Sequence, residues 1–241
     1  MIEVNKIAKK YGDITAVSEV SFSAQKGDIV GFLGPNGAGK TTTLRMLVTY
    51  MPPTSGSATV AGFDIITQAD EVRRRIGYLP ETPPLYGEMT VEEFLVFVAR
   101  IKGIPGRELT ATVEQAMEKC FLKDVRRRLC QHLSKGFRQR VGIAQAILHN
   151  PEVIIFDEPT SGLDPRQIID IRRMISSLAR DHTVILSTHI LPEVTQVCNK
   201  VVIINQGRVA AENYLSELTR SKSLEQVFLE CVGAEHHAGA A

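Results

Sequence analysis

The hydrophobic positions of the chain follow two patterns, one typical of strands and one typical of helices. Up to residue 62, short apolar or alternating runs separated by glycines predict strands. These runs cover residues 2–4, 17–22, 28–33 and 57–61. Between residues 84 and 150, apolar side chains recur at helical spacing, and the sequence shows no clear strand pattern. We therefore expect a helical subdomain inserted into a sheet-based core.

Strand patterns return after residue 150. Buried-strand runs at 153–158 and 183–188 flank a helical segment at 165–180, and this strand–helix–strand order predicts a parallel sheet. A hairpin pattern at 201–210 precedes a predicted helix at 216–229. The expected division of the chain is a core at 1–83 and 151–215, a helical subdomain at 84–150, and a short C-terminal helix and tail at 216–241.

A glycine-rich loop joins the strand at 28–33 to a helical segment. It matches the pattern G-x-x-x-x-G-K-[ST] in full, in the strand-before, helix-after context that identifies a phosphate-binding P-loop. Glycines let several backbone N–H groups point at one phosphate, and the following helix adds its positive N-terminal end. A plain glycine-rich turn would not require all of these features together. The loop residues are Gly34, Pro35, Asn36, Gly37, Ala38, Gly39, Lys40, Thr41 and Thr42.

Two side chains carry the chemistry of this loop. We expect Lys40 to reach the β- and γ-phosphates of a nucleoside triphosphate and the Thr41 hydroxyl to hold Mg²⁺. The motif predicts the α/β class, with a RecA-like P-loop NTPase core. The strand-rich region before residue 62 is expected to add an antiparallel β subdomain.

Two adjacent acids end the strand pattern at 153–158. Asp157 is placed like a Walker B aspartate, which orients Mg²⁺ beside a P-loop. Glu158 follows it and could polarise the water that attacks the γ-phosphate. An acidic pair that merely ends a strand is the structural alternative, but the P-loop in the same chain favours an ATPase.

Composition narrows the class of protein. The 241 residues are 44% hydrophobic and 23% charged, as in soluble globular proteins, and the net charge of +1 gives little reason to expect nucleic-acid binding. The four cysteines show no metal-ligand spacing and suggest reduced thiols in a cytosolic protein. No run predicts a transmembrane helix or a signal peptide, so we expect any membrane role to come through a partner.

A third motif, Leu-Ser-Lys-Gly-Phe-Arg-Gln-Arg from residue 133 to residue 140, resembles the LSGGQ-type signature of ABC ATPases. Ser134 begins a helical pattern, and its N-terminus with Gly136 could hold a phosphate. Lys135 replaces the usual first glycine of the pair, and Phe137 replaces the usual glutamine. Ser134 and Gly136 are retained, so the resemblance still implies phosphate contact.

Other family motifs follow in the usual order. Tyr11 matches the aromatic residue that stacks on adenine, Asp164 ends a Ser-Gly-Leu-Asp segment that matches the D-loop, and His189 matches the switch histidine that contacts the γ-phosphate. Glu81 stands where the family usually has its Q-loop glutamine. A carboxylate there can still approach Mg²⁺, but it adds negative charge and lacks the amide donors.

The resemblance implies ATP and Mg²⁺ as cofactors, with Glu158, His189 and Lys40 as catalytic residues. In the family, two chains pack head to tail, so we expect a dimer, in the simplest case a homodimer, in which Ser134 and Gly136 contact the partner's ATP. The metal ligands would be Thr41, Asp157 and Glu81. A separate transmembrane permease would hold the protein at the cytoplasmic face of the membrane.

Within the family, the Lys135-containing signature and the ending at 223–229 resemble exporter ATPases of the multidrug, antibiotic-resistance and gliding-motility type. A different class is an ABC ATPase that acts on DNA or ribosomes. Such proteins usually carry coiled coils, zinc modules or two cassettes, and this sequence shows none of these patterns. A nucleotide-binding regulator without catalysis would not need Glu158 or His189. We expect no direct nucleic-acid binding.

Overall fold

A computed structural model describes residues 1–233, so the last eight residues of the predicted C-terminal helix and tail, 234–241, lie outside the described residues. The strands are β1 (Ile2–Tyr11), β2 (Ile14–Ala24), β3 (Ile29–Leu33), β4 (Ser55–Val60), β5 (Phe63–Asp64), β6 (Ile76–Leu79), β7 (Val153–Asp157), β8 (Thr183–Thr188), β9 (Lys200–Asn205) and β10 (Arg208–Tyr214). The α-helices are α1 (Lys40–Leu47), α2 (Ala69–Arg75), α3 (Val91–Ile101), α4 (Gly106–Lys119), α5 (Lys135–Ile147), α6 (Pro165–Leu178), α7 (Leu191–Val197), α8 (Leu215–Leu218) and α9 (Leu224–Gly233).

The strands form two sheets. The larger has the order β10-β9-β3-β8-β7-β6 and is parallel except for the β9–β10 hairpin. The smaller has the order β2-β1-β4-β5 and is antiparallel throughout. These sheets and the helices around them confirm the predicted α/β class.

The central strands of the large sheet are buried on both faces, which explains their continuous apolar runs. Side chains of β3 alternate between two apolar cores, as the period of two in a strand requires. Ile29 and Leu33 join a core shared with the helices between residues 84 and 150. Val30 and Phe32 join a core shared with α1 and the antiparallel sheet. The large sheet therefore separates two apolar layers.

Contacts between α5 and β6 join the helical layer to the edge of this sheet. Gln145 donates a hydrogen bond from Nε2 to the Tyr78 carbonyl at 2.7 Å. His149 donates from Nε2 to the Ile76 carbonyl at 3.0 Å, and burial lowers the pKa of this histidine to about 4. Between these contacts, Gly77 packs directly against the backbone of Ala146.

The C-terminal segment differs from the single helix predicted at 216–229. The structure has two helices there, α8 and α9, with a break between Leu218 and Leu224. Ser223 provides the physical reason, because its hydroxyl accepts a hydrogen bond from the Gln226 N–H at 3.2 Å while its own N–H donates to Gln226 Oε1 at 3.0 Å. This reciprocal cap starts a new helix rather than continuing the old one.

Across residues 1–233, none of the helices combines the length and the apolar character needed to cross a membrane.

Replacement of Gly77 by alanine should destabilise the protein. An alanine Cβ at this position would run into the Ala146 carbonyl, and a backbone atom cannot move away cheaply. We expect G77A to lower the free energy of unfolding by about 1–3 kcal/mol. The matched control is G106A, because a Cβ there meets open space at the start of α4. Urea unfolding would compare the variants, and equal midpoints would contradict the close packing of β6 against α5.

Candidate functional site

The glycine-rich loop leaves the carboxyl end of β3 and leads into α1. Gly39 has a φ of 97°, and a Cβ on it would lie 2.7 Å from the Ala16 carbonyl oxygen. A Cβ on Gly34 would run into the Ile204 carbonyl oxygen. Both positions therefore require glycine. Gly39 is required by its backbone angle and by its close contact, and Gly34 by its close contact alone. This local geometry explains why the loop has its glycines at these points.

Lys40, the first residue of α1, is only 6% exposed. Its ammonium donates hydrogen bonds to the carbonyl oxygens of Gly34 at 2.7 Å and Pro35 at 3.1 Å. The same Nζ atom lies 3.4 Å from Glu158 Oε1. A buried ammonium needs such partners, and here they place it between the loop and the acidic end of β7.

Asp157 ends β7 and is 1% exposed. Its Oδ1 atom accepts a hydrogen bond from the Ser187 hydroxyl of β8, whereas its Oδ2 atom has no hydrogen-bond partner among the described residues. An unpaired buried carboxylate oxygen is costly, and carboxylate oxygen is the kind of ligand that Mg²⁺ prefers. The donor chemistry of Asp157 thus fits a divalent cation.

Within the described residues there is no cluster of three or more His, Cys, Asp or Glu side chains able to hold a metal ion. Mg²⁺ at nucleotide sites usually uses one or two carboxylates and completes its octahedron with waters and phosphate oxygens.

Glu158 follows Asp157 with a φ of 49°, which turns the chain sharply away from the strand. Its N–H donates to both the carbonyl and the hydroxyl of Ser187, at 3.2 and 3.0 Å. Its carboxylate accepts a hydrogen bond from His189 Nδ1 at 3.0 Å. The positive φ of a non-glycine residue is uncommon, and these contacts hold it in place.

One cleft of about 340 Å³ brings most of the predicted residues together. It opens at the carboxyl edge of the large sheet, where ligands bind in open α/β sheets. The cleft contains the glycine-rich loop from Asn36 onward. It also contains Glu158 and His189, which are predicted to act in catalysis with Lys40, and Glu81. Its lining residues are Ala16, Asn36, Gly37, Ala38, Gly39, Lys40, Thr41, Thr42, Glu81, Glu158, Ser161 and His189.

Glu81 reaches this cleft from the loop after β6. Its backbone carbonyl accepts a hydrogen bond from Gln139 Nε2 at 2.9 Å. Gln139 is 1% exposed and belongs to α5, the helix that Ser134 caps. A single buried amide therefore connects the signature segment to the cleft of the same chain.

Ser134 and Gly136 of the signature and Asp164 of the D-loop segment do not line this cleft, although Ser161, the first residue of the D-loop segment, does. Ser134 caps α5 by accepting from the Phe137 N–H at 3.4 Å, and Asp164 caps α6 by accepting from the Gln167 N–H at 2.9 Å. A Cβ on Gly136 would contact the Gln167 side chain. The signature segment thus packs against the D-loop segment and the start of α6.

Tyr11 also lies apart from the residues that line the cleft. It ends β1, is 47% exposed, and donates its hydroxyl hydrogen to Met51 Sδ at 3.0 Å. The Lys9 ammonium lies 5.6 Å from the centre of its ring. Its adenine-stacking role stays a prediction.

Sequence reasoning missed Ser187, which holds both Asp157 and Glu158. The strand patterns contained a signal, because parallel pairing places Asp157 opposite Ser187. The neighbouring strand supplies Tyr78, whose pKa rises to about 12 through burial and the negative charge of Asp157. Burial is the larger of these two causes, and the charge of Asp157 adds to it.

Comparison with known proteins identifies the family. A family model described as ABC transporter matches residues 17–161. The ABC transporter ATP-binding protein NatA of Bacillus subtilis is 39% identical over 239 residues, covering 95% of this chain and 97% of that protein. The chain belongs to the ABC transporter family. Another ABC relative, the bacitracin transport ATP-binding protein BcrA of Bacillus licheniformis, is 40% identical over 214 residues, covering 88% of this chain and 69% of that protein.

Solved structures of ABC proteins share the fold. The ATP-binding subunit of an ABC transporter has a TM-score of 0.87 at 31% identity and matches 96% of this chain and 99% of its own. A dimeric ATP-binding cassette bound to ADP and inorganic phosphate has a TM-score of 0.81 at 26% identity. The match covers 89% of this chain and 99% of the cassette chain. The predicted family and P-loop NTPase fold are confirmed, and ATP hydrolysis is general in this family. These comparisons give no support to the alternative of an ATPase that acts on DNA or ribosomes.

Removal of the Ser187 hydroxyl should destabilise the acidic end of β7. The S187A variant would leave Asp157 Oδ1 without its donor and take one acceptor from the Glu158 N–H. We expect the free energy of unfolding to fall by about 1–3 kcal/mol in urea unfolding. The matched control is S177A, whose exposed hydroxyl bonds only to the Met174 carbonyl of its own helix. A loss no larger than that of the control would contradict the assignment.

Proposed function

We propose that this protein is the ATP-hydrolysing subunit of an exporter whose membrane-spanning part is a separate subunit. The observation that carries the proposal is the cleft in which the P-loop, Glu158 and His189 meet. Family membership supports ATP as the substrate. The name of a further relative, the Nod factor export ATP-binding protein I of Paraburkholderia xenovorans, supports export as the direction of transport. That protein is 38% identical over 223 residues, covering 92% of this chain and 73% of its own length.

The P-loop would bind the phosphates of ATP. Its backbone N–H groups and the N-terminus of α1 offer positive charge to the triphosphate, and Lys40 adds an ammonium at the same place. That ammonium is held by carbonyl oxygens and Glu158, so it can exchange these partners for phosphate oxygens of higher charge. Tyr11 would stack on the adenine ring.

The metal would be held by Asp157, with the Thr41 hydroxyl and Glu81 as further ligands. The unpartnered Oδ2 atom of Asp157 is the feature that supports this role. When bound, Mg²⁺ neutralises charge on the phosphate oxygens and so stabilises phosphoryl transfer. Ser187 keeps the Asp157 carboxylate oriented by bonding its other oxygen.

Hydrolysis needs a group that orients water and accepts its proton, and Glu158 has this role in the proposal. As water attacks the γ-phosphorus, its O–H bond breaks toward Glu158 and the bond to the β-phosphate oxygen breaks, so that ADP and inorganic phosphate leave. His189 donates to the Glu158 carboxylate and thereby fixes its direction. Lys40 stabilises the negative charge on the phosphate.

A second chain would complete the site. Ser134, Gly136 and Asp164 do not line the cleft of their own chain, so the nucleotide that they contact would be one held by the P-loop of another chain. In a head-to-tail homodimer, the signature segment of each chain would contact the ATP of the other. The dimeric cassette with ADP and phosphate supports this assembly.

The permease would dock on the loop from residue 81 to residue 88 and the helical subdomain at 84–150. Tyr86 in this loop is half exposed and packs against Phe94 and Phe97 of α3. Such an anchored aromatic side chain suits a protein interface. This docking would place the core, 1–83 and 151–215, and the C-terminal segment at the cytoplasmic face of the membrane.

The E158Q variant tests the catalytic assignment. Glutamine has the same shape but cannot accept the proton, so we expect phosphate release to fall by about 10²-fold or more. ATP-dependent dimers should persist, as measured by size-exclusion chromatography with ATP. The control is E152Q, which changes a carboxylate paired with Arg75 outside the cleft. Normal steady-state hydrolysis by E158Q would overturn the role of Glu158.

The E81Q variant tests whether this acid is a metal ligand. Glutamine restores the usual family residue but removes a charge, so the Mg²⁺ concentration for half-maximal ATP hydrolysis should rise about tenfold, equivalent to about 1.4 kcal/mol of binding. The control is E88Q, an exposed acid of the same loop that does not line the cleft. An unchanged Mg²⁺ dependence would remove Glu81 from the ligand set.

A further inference from the structure

Glu193 is a buried acid that the proposed reaction does not yet use. It lies in the first turn of α7 and is 1% exposed. Its Oε1 atom accepts a hydrogen bond from the Thr160 hydroxyl, and its Oε2 atom accepts one from the Thr188 hydroxyl at 2.7 Å. One carboxylate oxygen is therefore bonded to the loop after β7, and the other to the last residue of β8, where the next loop begins.

These two loops carry the groups proposed for water activation. Thr160 lies two residues after Glu158, and Thr188 directly precedes His189. The Thr188 hydroxyl also accepts from the Ile190 N–H at 3.0 Å, which fixes the turn around the histidine. The Glu158–His189 hydrogen bond thus joins the loops that follow β7 and β8. Glu193 holds the starts of these two loops together.

Packing alone does not explain an acid at this position. A fully buried carboxylate loses its hydration, and only hydrogen bonds or opposite charge can compensate for that loss. Among residues 1–233, the cation within 4 Å of its carboxylate is Arg172 of α6, whose Nη2 atom is 3.8 Å from Oε1. The Nη1 atom of Arg172 donates to Gln196 at 2.7 Å. The two threonine hydroxyls are therefore the close partners of Glu193.

We propose that Glu193 is a positioning residue for ATP hydrolysis, which sets the distance and angle of the Glu158–His189 pair through Thr160 and Thr188. It does not line the cleft, so its effect must pass through these loops. The hydrogen bond from Thr160 to Glu193 also fixes the position of Ser161, which follows Thr160 and lines the cleft. This inference rests on the proposed function, because it assigns Glu193 a part in water activation by Glu158.

The first experiment compares E193A and E193Q with the natural protein in steady-state ATP hydrolysis. Alanine removes both hydrogen bonds, and displacement of the base by about 1 Å can cost on the order of 10²-fold in rate. We expect E193A to lower kcat by that order while KM for ATP changes by less than about threefold, because the P-loop is untouched. Glutamine can accept from one hydroxyl and donate to the other, so E193Q should keep more of the rate.

The control variant is Q196A, which removes an exposed side chain of the same helix that bonds to Arg172 but to neither loop. It should keep normal kcat. If E193A is poorly folded by thermal unfolding, T188V replaces it, because that variant keeps the volume and removes one hydroxyl only. A normal kcat in folded E193A, or in T188V where E193A fails to fold, would overturn the inference.

A double-variant cycle separates positioning from a general structural effect. If Glu193 acts through Glu158, E193A should lower the residual hydrolysis of E158Q by less than about twofold, and ATP-dependent dimers should still form. If the rate loss of the double variant equals the product of the losses of E193A and E158Q, the inference is overturned. Normal turnover by E158Q alone would instead overturn the proposed function, so the two failures are distinguishable.

Discussion

The parallel pairing of β7 with β8 sets the positions of the polar groups on which the candidate site depends. Asp157 lies opposite Ser187 at the carboxyl ends of these strands. Just beyond this pair, the chain leaves β7 at Glu158 and leaves β8 at His189. On the other side of β8, β3 pairs in parallel and ends in the P-loop. Three segments distant in sequence therefore meet at one edge because parallel strands share their direction.

Two apolar cores keep that edge in place, and the polar groups beside it are buried as a result. Burial raises the free energy of each acid that has no partner. Asp157 meets this cost in part through the Ser187 hydroxyl, and Glu193 through two threonine hydroxyls. The Oδ2 atom of Asp157 has no hydrogen-bond partner among residues 1–233, and a carboxylate oxygen is a suitable ligand for a divalent cation.

The sequence was sufficient for the features that depend on local pattern. The P-loop has its full consensus within nine residues, and the strand runs before and after the helical region predicted the α/β class. Contacts between distant residues could not be predicted in the same way. Gln139 and Glu81 are 58 residues apart, and Thr160 and Glu193 are 33 apart, so only the folded chain shows that they are bonded.

Local hydrogen bonding also limited the prediction from sequence. Apolar spacing suggested one helix at 216–229, but a reciprocal side-chain cap at Ser223 and Gln226 begins a new helix there. Lys135 shows another limit. It is an unusual residue in the signature, and the structure shows its ammonium against Gly162, in the D-loop segment of the same chain.

The bond from Gln139 to Glu81 uses the backbone of Glu81 and leaves its side chain free. This hydrogen bond therefore does not depend on which side chain stands at residue 81. An exchange of glutamine for glutamate there changes the charge of the cleft and leaves the backbone acceptor in place. Members of one family can in this way differ in the charge of the cleft while the hydrogen bond to the signature helix stays the same.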